Sequence, residues 1–523
     1  MVRFFLNGNL TIVQDLASDT TLLRYLRSQQ AQTGTKEGCG SGDCGACSVL
    51  LGEQQDGQWR YKAINACITF VAQLNGKSVV TVDALATGGG AELHPAQQAM
   101  VDYHGSQCGF CTPGIVMSLA ALHESINHGE DAQQQATQHQ IIEALSGNLC
   151  RCTGYRPIIE AASHLNDYPD NRDQAVQVWQ PGVSAEFKAA TIVEEDNATT
   201  TEQAGFGKAE QQAWAPQNED QLKQLLQQYP QARLVAGATD LALDVTQFLK
   251  PIDQLIAING IASLKAINDE EHALLIGAAA TYSDVEPLLA HYFPEFAQLL
   301  QRLGSRQVRN NGTLGGNIAN ASPIGDTPPV LLALGACIEL ASAPGMINET
   351  GSRWLKLKDF FVDYKQTVQQ PGEYVRTIKI PKLKVGELLK VYKISKRLED
   401  DISAVLAAFK VSVSEERTVT AISTGFGGMA AIPKAALQLE AELTGLPLNS
   451  AQFRQAAEKL SQDFTPMTDV RATDEYRLLV AKNLVQKCAL ELLQPDSISR
   501  IENIHSSQLA ARDAINPMEH HNA

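Results

Sequence analysis

The sequence predicts a multidomain α+β protein, and three observations predict it. At 523 residues the chain is too long for one ordinary core and divides into three or four folded parts. Eight of its ten cysteines fall into two local groups, one among short strand patterns and one flanking helical stretches. A polar, irregular stretch from Asn166 to about Gln212 then separates these from a part in which apolar strands open into glycine-rich turns.

With 44% hydrophobic and 19% charged residues, the composition is that of a globular protein. Lys plus Arg number 42 against 58 Asp plus Glu, and the net charge of −16 argues against nucleic acid or an anionic membrane as a partner. The opening MVRFFLNGNL alternates like a strand and lacks the basic region and apolar core of a signal segment. No apolar run nears the roughly 18 residues of a membrane span. A cytoplasmic location is the expectation, and thiols grouped locally there are more often metal ligands than disulfides. Cys337 and Cys488 stand singly in apolar, helix-like contexts and read as buried structural thiols.

The first part, residues 1–88, holds GTKEGCGSGDCGACSVL with Cys39, Cys44 and Cys47, followed by Cys67. This is the plant-type [2Fe–2S] pattern C-x4-C-x2-C…C. Such a cluster with its four thiolates carries a formal charge of about −2, and burying it demands many hydrogen-bond donors. Gly38, Gly40, Gly42 and Gly45 let the main chain fold tightly and turn its N–H groups on the sulfurs. Residues 2–6 and 10–13 read as a hairpin, Thr20–Gln29 as an amphipathic helix, and ACSVLLG and SVVTVDAL as strands. A small mixed sheet on one helix is the ferredoxin-like β-grasp arrangement. A structural zinc site more usually shows paired C-x2-C units.

The second part, residues 89–165, supplies Cys108 and Cys111 from QCGFCTPG, and Cys150 and Cys152 from GNLCRCTGYRP. GIVMSLAALHESI and QIIEALSGN read as helices, and laid antiparallel they bring both pairs to one end. Zinc competes here, since C-x2-C is common in zinc sites, whereas the Cys-x-Cys pair suits one iron of a two-iron cluster. Spacing leaves both open.

Following a ferredoxin-like module, QCGFCTPG and LCRCTGYRPI strongly resemble the iron–sulfur part of the molybdenum hydroxylases. That family includes xanthine dehydrogenases, aldehyde oxidases and carbon monoxide dehydrogenases. The resemblance implies a second [2Fe–2S] cluster in a helical bundle, nearest a molybdenum-pterin cofactor held by a neighbouring domain or subunit. Gln107 and Cys152 match positions that touch the pterin, and the ferredoxin-like cluster passes electrons on towards flavin.

After the linker, 166–212, two glycine-rich turns stand in residues 213–390. One follows the strand in ARLVAGATDLALDV; the other lies in RNNGTLGGNIANASPIGDTPPVLLAL. Such turns let backbone N–H groups approach a pyrophosphate, although either alone is an ordinary loop feature. Together they resemble the family's two-loop FAD-binding α+β domain. The resemblance assigns Arg233, Leu234, Val235, Ala236, Gly237, Ala238, Thr239 and Asp240 to one loop, and Thr313, Leu314, Gly315, Gly316 and Asn317 to the other. It also assigns Asp326 to a polar part of the cofactor, Val375 to a weaker backbone contact, and Lys393 to the flavin's vicinity. Leu303 stands where animal members have a phenylalanine over the flavin. The acidic run at Glu399 and Asp400, which composition alone reads as a solvated turn, matches an NAD-contacting position.

GFGGMA, Gly425–Ala430, satisfies G-x-G-x-x-[G/A], but Pro433 follows where a Rossmann turn opens into a helix, so no dinucleotide site is expected there. Instead 391–500 reads as a C-terminal α+β domain closed by a helix near Phe464–Cys488, with 501–523 a tail. Animal members continue into a long molybdenum domain that nothing here resembles. The resemblance therefore implies a separate large molybdenum subunit as partner, a heterotetramer of two small and two large subunits, and NAD as acceptor. Fusion of the iron–sulfur and flavin parts favours the xanthine dehydrogenase type, since carbon monoxide dehydrogenases keep them on separate chains.

Overall fold

The computed structural model describes residues 1–90, 92–128, 135–182, 204–208, 211–398 and 400–495. Glu399, much of the expected linker and the expected tail therefore lie outside the described residues.

The first hairpin pairs β1 (Val2–Leu6) with β2 (Asn9–Val13), Leu6 opposite Asn9. β3 (Ser48–Gln55), β4 (Gln58–Asn65) and β5 (Ser78–Val80) complete a five-stranded sheet ordered β2-β1-β5-β3-β4, in which β1 and β5 run parallel. Helix α1 (Leu22–Ser28) is capped by Thr21, whose hydroxyl accepts from Arg24 N–H, and buries Leu22, Leu23, Tyr25 and Leu26. Side chains alternate across a strand, and here each face meets a different neighbour. Val2, Phe4, Leu6, Val49 and Leu51 share a core with α1 and with Phe206, Val235 and Leu255 further along the chain. Phe5, Leu50, Val80, Trp59 and Tyr61 face the other way, into a core with Ile115, Leu119 and Ile158. The ferredoxin-like sheet is thus buried on both sides.

The second core belongs to the helical part: α2 (Pro95–Asp102), α3 (Thr112–His128), α4 (Gln138–Leu145) and α5 (Arg156–Ser163). Residues 166–182, read from the sequence as the start of a loose linker, instead pack on the first two parts: Asn171 Nδ2 donates to the Leu85 carbonyl at 3.0 Å, and 178–181 lie along β4. Trp59 Nε1 donates to the Pro181 carbonyl at 3.3 Å, Tyr61 hydroxyl to that of Val178 at 3.2 Å, and Trp179 is 2% exposed. The apolar Trp179 anchors an otherwise polar segment.

The part expected to bind flavin holds two sheets. β6 (Gly205–Lys208), β7 (Gln211–Trp214), β8 (Arg233–Val235) and β9 (Gln254–Ala257) form one, ordered β6-β7-β9-β8, with β7, β9 and β8 parallel. Its first strands come from residues read as linker. β10 (Ile267–Asp269), β11 (Ala273–Gly277), β12 (Cys337–Ala341), β13 (Ser352–Lys356) and β16 (Tyr374–Pro381) form the other, with β14 (Phe361–Asp363) and β15 (Gln366–Thr367) a separate hairpin. Cys337 therefore opens a strand, not a helix, while Cys488 is buried in helix Asp474–Leu493. The last part is an antiparallel sheet of β17 (Glu387–Ile394), β18 (Val405–Val413) and β19 (Val419–Gly427), packed on that helix. GFGG closes β19 and opens no helix, as the sequence predicts. Among the described residues no helix is long and apolar enough to cross a membrane.

Candidate electron-transfer site

The loop between α1 and β3 wraps its own thiols. Cys39 Sγ accepts from the N–H groups of Ser41 and Asp43, each at 3.3 Å, and Cys44 Sγ accepts from Cys39 N–H at 3.3 Å. The Asn65 side-chain amide donates to the Gly42 carbonyl and pins the loop to the sheet. Cys47 stands just before β3, and Cys67 lies on a single turn of 3-10 helix; both are 2% exposed. Hydrogen bonds from Cys44 and Cys67 hold the Cys39 thiol well below its ordinary range, and the same bonds raise those two partners. All four sulfurs thus converge, in a shell of main-chain donors suited to an anionic cluster.

The helical part brings its four together in the same way. Cys108 and Cys111 stand at the start of α3, Cys150 and Cys152 after α4. Cys108 bonds with Cys152 and Cys111 with Cys150; burial and Cys150 push the Cys111 thiol up to about 12. Burial would raise Cys150 too, but the Thr153 hydroxyl, 3.2 Å from its Sγ, and the backbone there bring it down. A two-iron cluster takes only two protein thiolates per iron, so facing pairs are the arrangement it needs. Cys108 and Cys152 are exposed, with Gln107 and Phe110 beside Cys108 and Leu149 beside Cys150, all exposed.

The two thiol groups are joined through the main chain. Leu149 N–H donates to the Cys44 carbonyl at 3.0 Å. Gly45 has φ 66°, and a Cβ there would overlap the Gly147 carbonyl oxygen, so only glycine allows the two loops to touch. On the other side, Gln247 Nε2 donates to the Cys39 carbonyl at 3.1 Å and Gln73 Nε2 to that of Ala236 at 2.7 Å.

The two glycine turns of the flavin part meet. A Cβ on Gly237 would overlap the Asn311 carbonyl oxygen, and Ala238 takes a left-handed φ of 65° to follow it. Leu234 and Val235 lie on β8, Ala236 leaves it, and Thr239 and exposed Asp240 lead into helix Leu241–Thr246. Thr313 caps helix Leu314–Ala319, its hydroxyl accepting from Gly316 N–H at 3.0 Å. Gly316 is exposed while Leu314 and Gly315 are buried, and Asn317 Oδ1 accepts from Thr327 at 2.7 Å. Two bare turns in contact, one flanking an exposed glycine, fit a pyrophosphate that main-chain N–H groups approach closely.

Asp326 is buried: its Oδ2 pairs with Lys393 Nζ at 2.7 Å and its Oδ1 accepts from the Ser403 hydroxyl at 2.5 Å. Lys393 Nζ also donates to the Arg302 carbonyl at 2.8 Å, which brings half-buried Leu303 to this end of the site. Arg233 lies apart from the turn it was grouped with. It starts β8, pairs with Asp244 at 3.4 Å, and lines an open hollow of about 590 Å³ with Gln212 and Gln254, at the opposite end of those strands. Val375 is in the core beside a bulge of β16 at Arg376, opposite Glu339 and Leu340 of β12. Asp400, at φ 46°, has its carboxyl pushed up by burial and then by Asp43 of the first cysteine loop. Asp400 therefore stands close to that loop.

Sequence reading did not single out Ser403, Gln73, Gln247, Gln307 or Arg309. One signal was available: RNN is a polar run directly before Gly312, at the head of the second glycine turn, and all three residues are buried.

Four family profiles match the chain. They are a 2Fe-2S iron-sulfur cluster binding domain over residues 4–72, a [2Fe-2S] binding domain over 81–163, the FAD binding domain in molybdopterin dehydrogenase over 208–383, and the CO dehydrogenase flavoprotein C-terminal domain over 390–492. The xanthine dehydrogenase of Drosophila subobscura is 33% identical over 502 residues, 87% of this chain and 36% of its own. The xanthine dehydrogenase/oxidase of Gallus gallus is 31% identical over 529 residues, 88% of this chain and 38% of its own. The chain thus spans little more than a third of these relatives. Quinoline 2-oxidoreductase from Pseudomonas putida 86 is similar in structure at TM-score 0.49 and 25% identity, over 54% of this chain and 96% of that one. Two [2Fe–2S] domains and an FAD-binding domain are therefore present.

Proposed function

We propose that this chain, which belongs to the molybdenum hydroxylase family as its iron–sulfur and flavin portion, is the electron-transfer subunit of a xanthine dehydrogenase. Its partner is then a large subunit bearing the molybdenum-pterin cofactor, where xanthine or hypoxanthine is hydroxylated, in an assembly of two small and two large subunits. No residue of this chain acts as acid or base on the purine. When bound, the clusters exchange single electrons and the flavin exchanges a pair, as hydride, with NAD.

The observation that carries this reading is the order of packing. The ferredoxin-like sheet has the helical cysteine part on one face and the flavin part on the other. Cys39, Cys44, Cys47 and Cys67 hold the inner cluster; Cys108, Cys111, Cys150 and Cys152 hold the outer one. The contacts from Leu149 to Cys44 and from Gln247 to Cys39 keep the three centres in series. The exposed surface at Gln107, Phe110, Leu149 and Cys152 supports docking of the molybdenum subunit there. The turns at 236–240 and 313–317 hold the FAD pyrophosphate, Asp326 and Lys393 the flavin end, and Glu399 and Asp400 border NAD. The 33% identity over 87% of the chain supports the xanthine branch.

The test is NADH formation when xanthine is added to this chain purified with its native partner. Steady turnover bears the proposal out. No turnover, in a sample carrying both clusters, FAD and molybdenum, keeps the electron-transfer role and moves the search to another substrate, an aldehyde or N-heterocycle, or to another acceptor than NAD. Reductase activity of the chain without any molybdenum subunit would point instead to a stand-alone iron–sulfur flavoprotein reductase.

A further inference from the structure

The turn Gln301–Gly304 carries Leu303, and its carbonyls are held by cations from two other elements. Arg309 Nη1 donates to Gln301 O at 3.2 Å and Gly304 O at 2.7 Å, with Leu303 O at 3.5 Å on the margin of its reach. Lys393 Nζ takes the Arg302 carbonyl. The Arg302 side chain in turn donates to the carbonyls of Lys393 and Leu398, at 3.3 and 3.1 Å. Three main-chain acceptors within four residues, each met by a side-chain cation, make a fixed turn.

Arg309 is completely buried, and a buried guanidinium needs a counter-charge. That charge comes from a different part of the protein: Arg309 Nη2 meets Glu143 Oε1 of α4 at 2.7 Å. Arg306 reaches the same oxygen at 3.1 Å, so that, against burial, the two arginines hold the Glu143 carboxyl below its ordinary range. Between these arginines, buried Gln307 donates to Ser118 at 2.8 Å and to Asn148 at 3.0 Å. The helical cysteine part thus closes onto the segment that fixes the Leu303 turn.

We infer that Arg309 and Glu143 are positioning residues that make the shape of the flavin pocket depend on docking of the helical iron–sulfur part. Arg309 can hold the turn only while Glu143 balances its charge. The surroundings of the flavin are then set in part by the domain that holds the outer cluster. This rests on the reading that Leu303 borders the flavin.

The experiment uses the full chain with its cofactors. Glu143→Gln keeps the size of the side chain and one hydrogen bond but removes the charge; Glu143→Asp keeps the charge; Arg309→Lys keeps the cation but loses the fork that spans turn and carboxylate. Hydrogen exchange of the segment 299–305, the flavin absorption spectrum and midpoint potential, and the electron-spin signals of both clusters are recorded. Expected for Glu143→Gln and Arg309→Lys is exchange in 299–305 faster by about tenfold, as loss of one charge-assisted bond of a locally opening turn gives. The flavin spectrum and potential shift, both cluster signals stay unchanged, and Glu143→Asp moves each readout less. Unchanged exchange in 299–305 overturns the inference and leaves the flavin assignment standing. Faster exchange with an unmoved flavin spectrum and potential removes Leu303 from the flavin, and the inference falls with that reading.

Discussion

Replacing Lys393 by methionine tests whether the end of the site proposed to hold the flavin is fixed by a buried charge pair. Its side chain is 2% exposed and that of Asp326 8%, and the two stand 2.7 Å apart. At an effective dielectric constant near 20, charges at that separation attract by about 6 kcal/mol. Part of that attraction offsets the desolvation of both ions. Methionine fills the same volume but leaves the Asp326 carboxylate with the Ser403 hydroxyl alone. An uncompensated buried charge costs about 3–5 kcal/mol. The Arg302 carbonyl also loses its donor, which adds about 1 kcal/mol.

The discriminating variant is the double one, Lys393→Met with Asp326→Asn. If the charge is what matters, removing its partner relieves most of the damage, and the double variant falls within about 2 kcal/mol of the parent. A chain of several folded parts does not unfold in one step, so the assay is hydrogen exchange in β17 and in helix Thr327–Leu334, which the pair ties together. FAD retained through gel filtration is measured on the same samples. A Lys393→Met effect below about 1 kcal/mol, or a double variant as damaged as the sum of the singles, would refute the buried-pair account.

His94 and His123, 2% and 4% exposed with rings 5.2 Å apart, are pushed by burial down to about 3 and about 4. With folded values below the unfolded value of about 6.5, their contribution is complete above pH 6.5 and is lost as pH falls towards 4. The stability of α2 and α3, read by hydrogen exchange, should therefore drop from pH 6.5 to 5, by up to about 2.7 kcal/mol per pH unit for two protons, and His94→Gln should halve that slope; a flat profile contradicts it. Cys152→Ser should abolish one of two electron-spin signals and Cys47→Ser the other, so loss of both in either variant would show that the clusters do not assemble separately. Gly45→Ala should loosen the joint between the cysteine loops, because its left-handed φ alone costs about 1–2 kcal/mol and its Cβ overlaps Gly147. The readout is faster exchange at Leu149 N–H; unchanged protection there removes the steric argument.

How much of this was legible in the sequence depended on the range of the interactions involved. The cysteine spacings, the first hairpin and the helices beginning near Thr112 and ending near Leu145 are local patterns, and the structure places them within a few residues of expectation. β4 was missed although QWRYKAIN alternates Trp59, Tyr61 and Ala63 with Arg60 and Lys62. Its inward residues are aromatic, and their partner, Trp179, lies 118 positions from Tyr61 in a segment that reads as loop. The flavin turns were legible only as a pair, since each is an ordinary glycine turn until Gly237 is seen against Asn311. Ser403 reaches Asp326 across 77 residues and gave no local sign.

The alternation in β1 and β3 bears on the whole electron path. A sheet with one solvent face tolerates polar residues at every second position. Here Phe4 and Phe5 are both buried, and so are Val49, Leu50 and Leu51. Neither neighbour alone would require this, because covering one face leaves the other wet. Continuous burial is therefore the mark of a domain held between two others. The thiol loop at its edge then touches both, through Cys44 on one side and Cys39 on the other. A polar substitution at Leu50 should weaken the joint to the helical part, and one at Leu51 the joint to the flavin part, since a one-residue step reverses the face. Exchange measured separately in α3 and in β9 distinguishes the two. Equal loss of protection in both segments from either substitution would mean that the three parts are one cooperative unit, and that the order of the centres is not set by the two faces of this sheet.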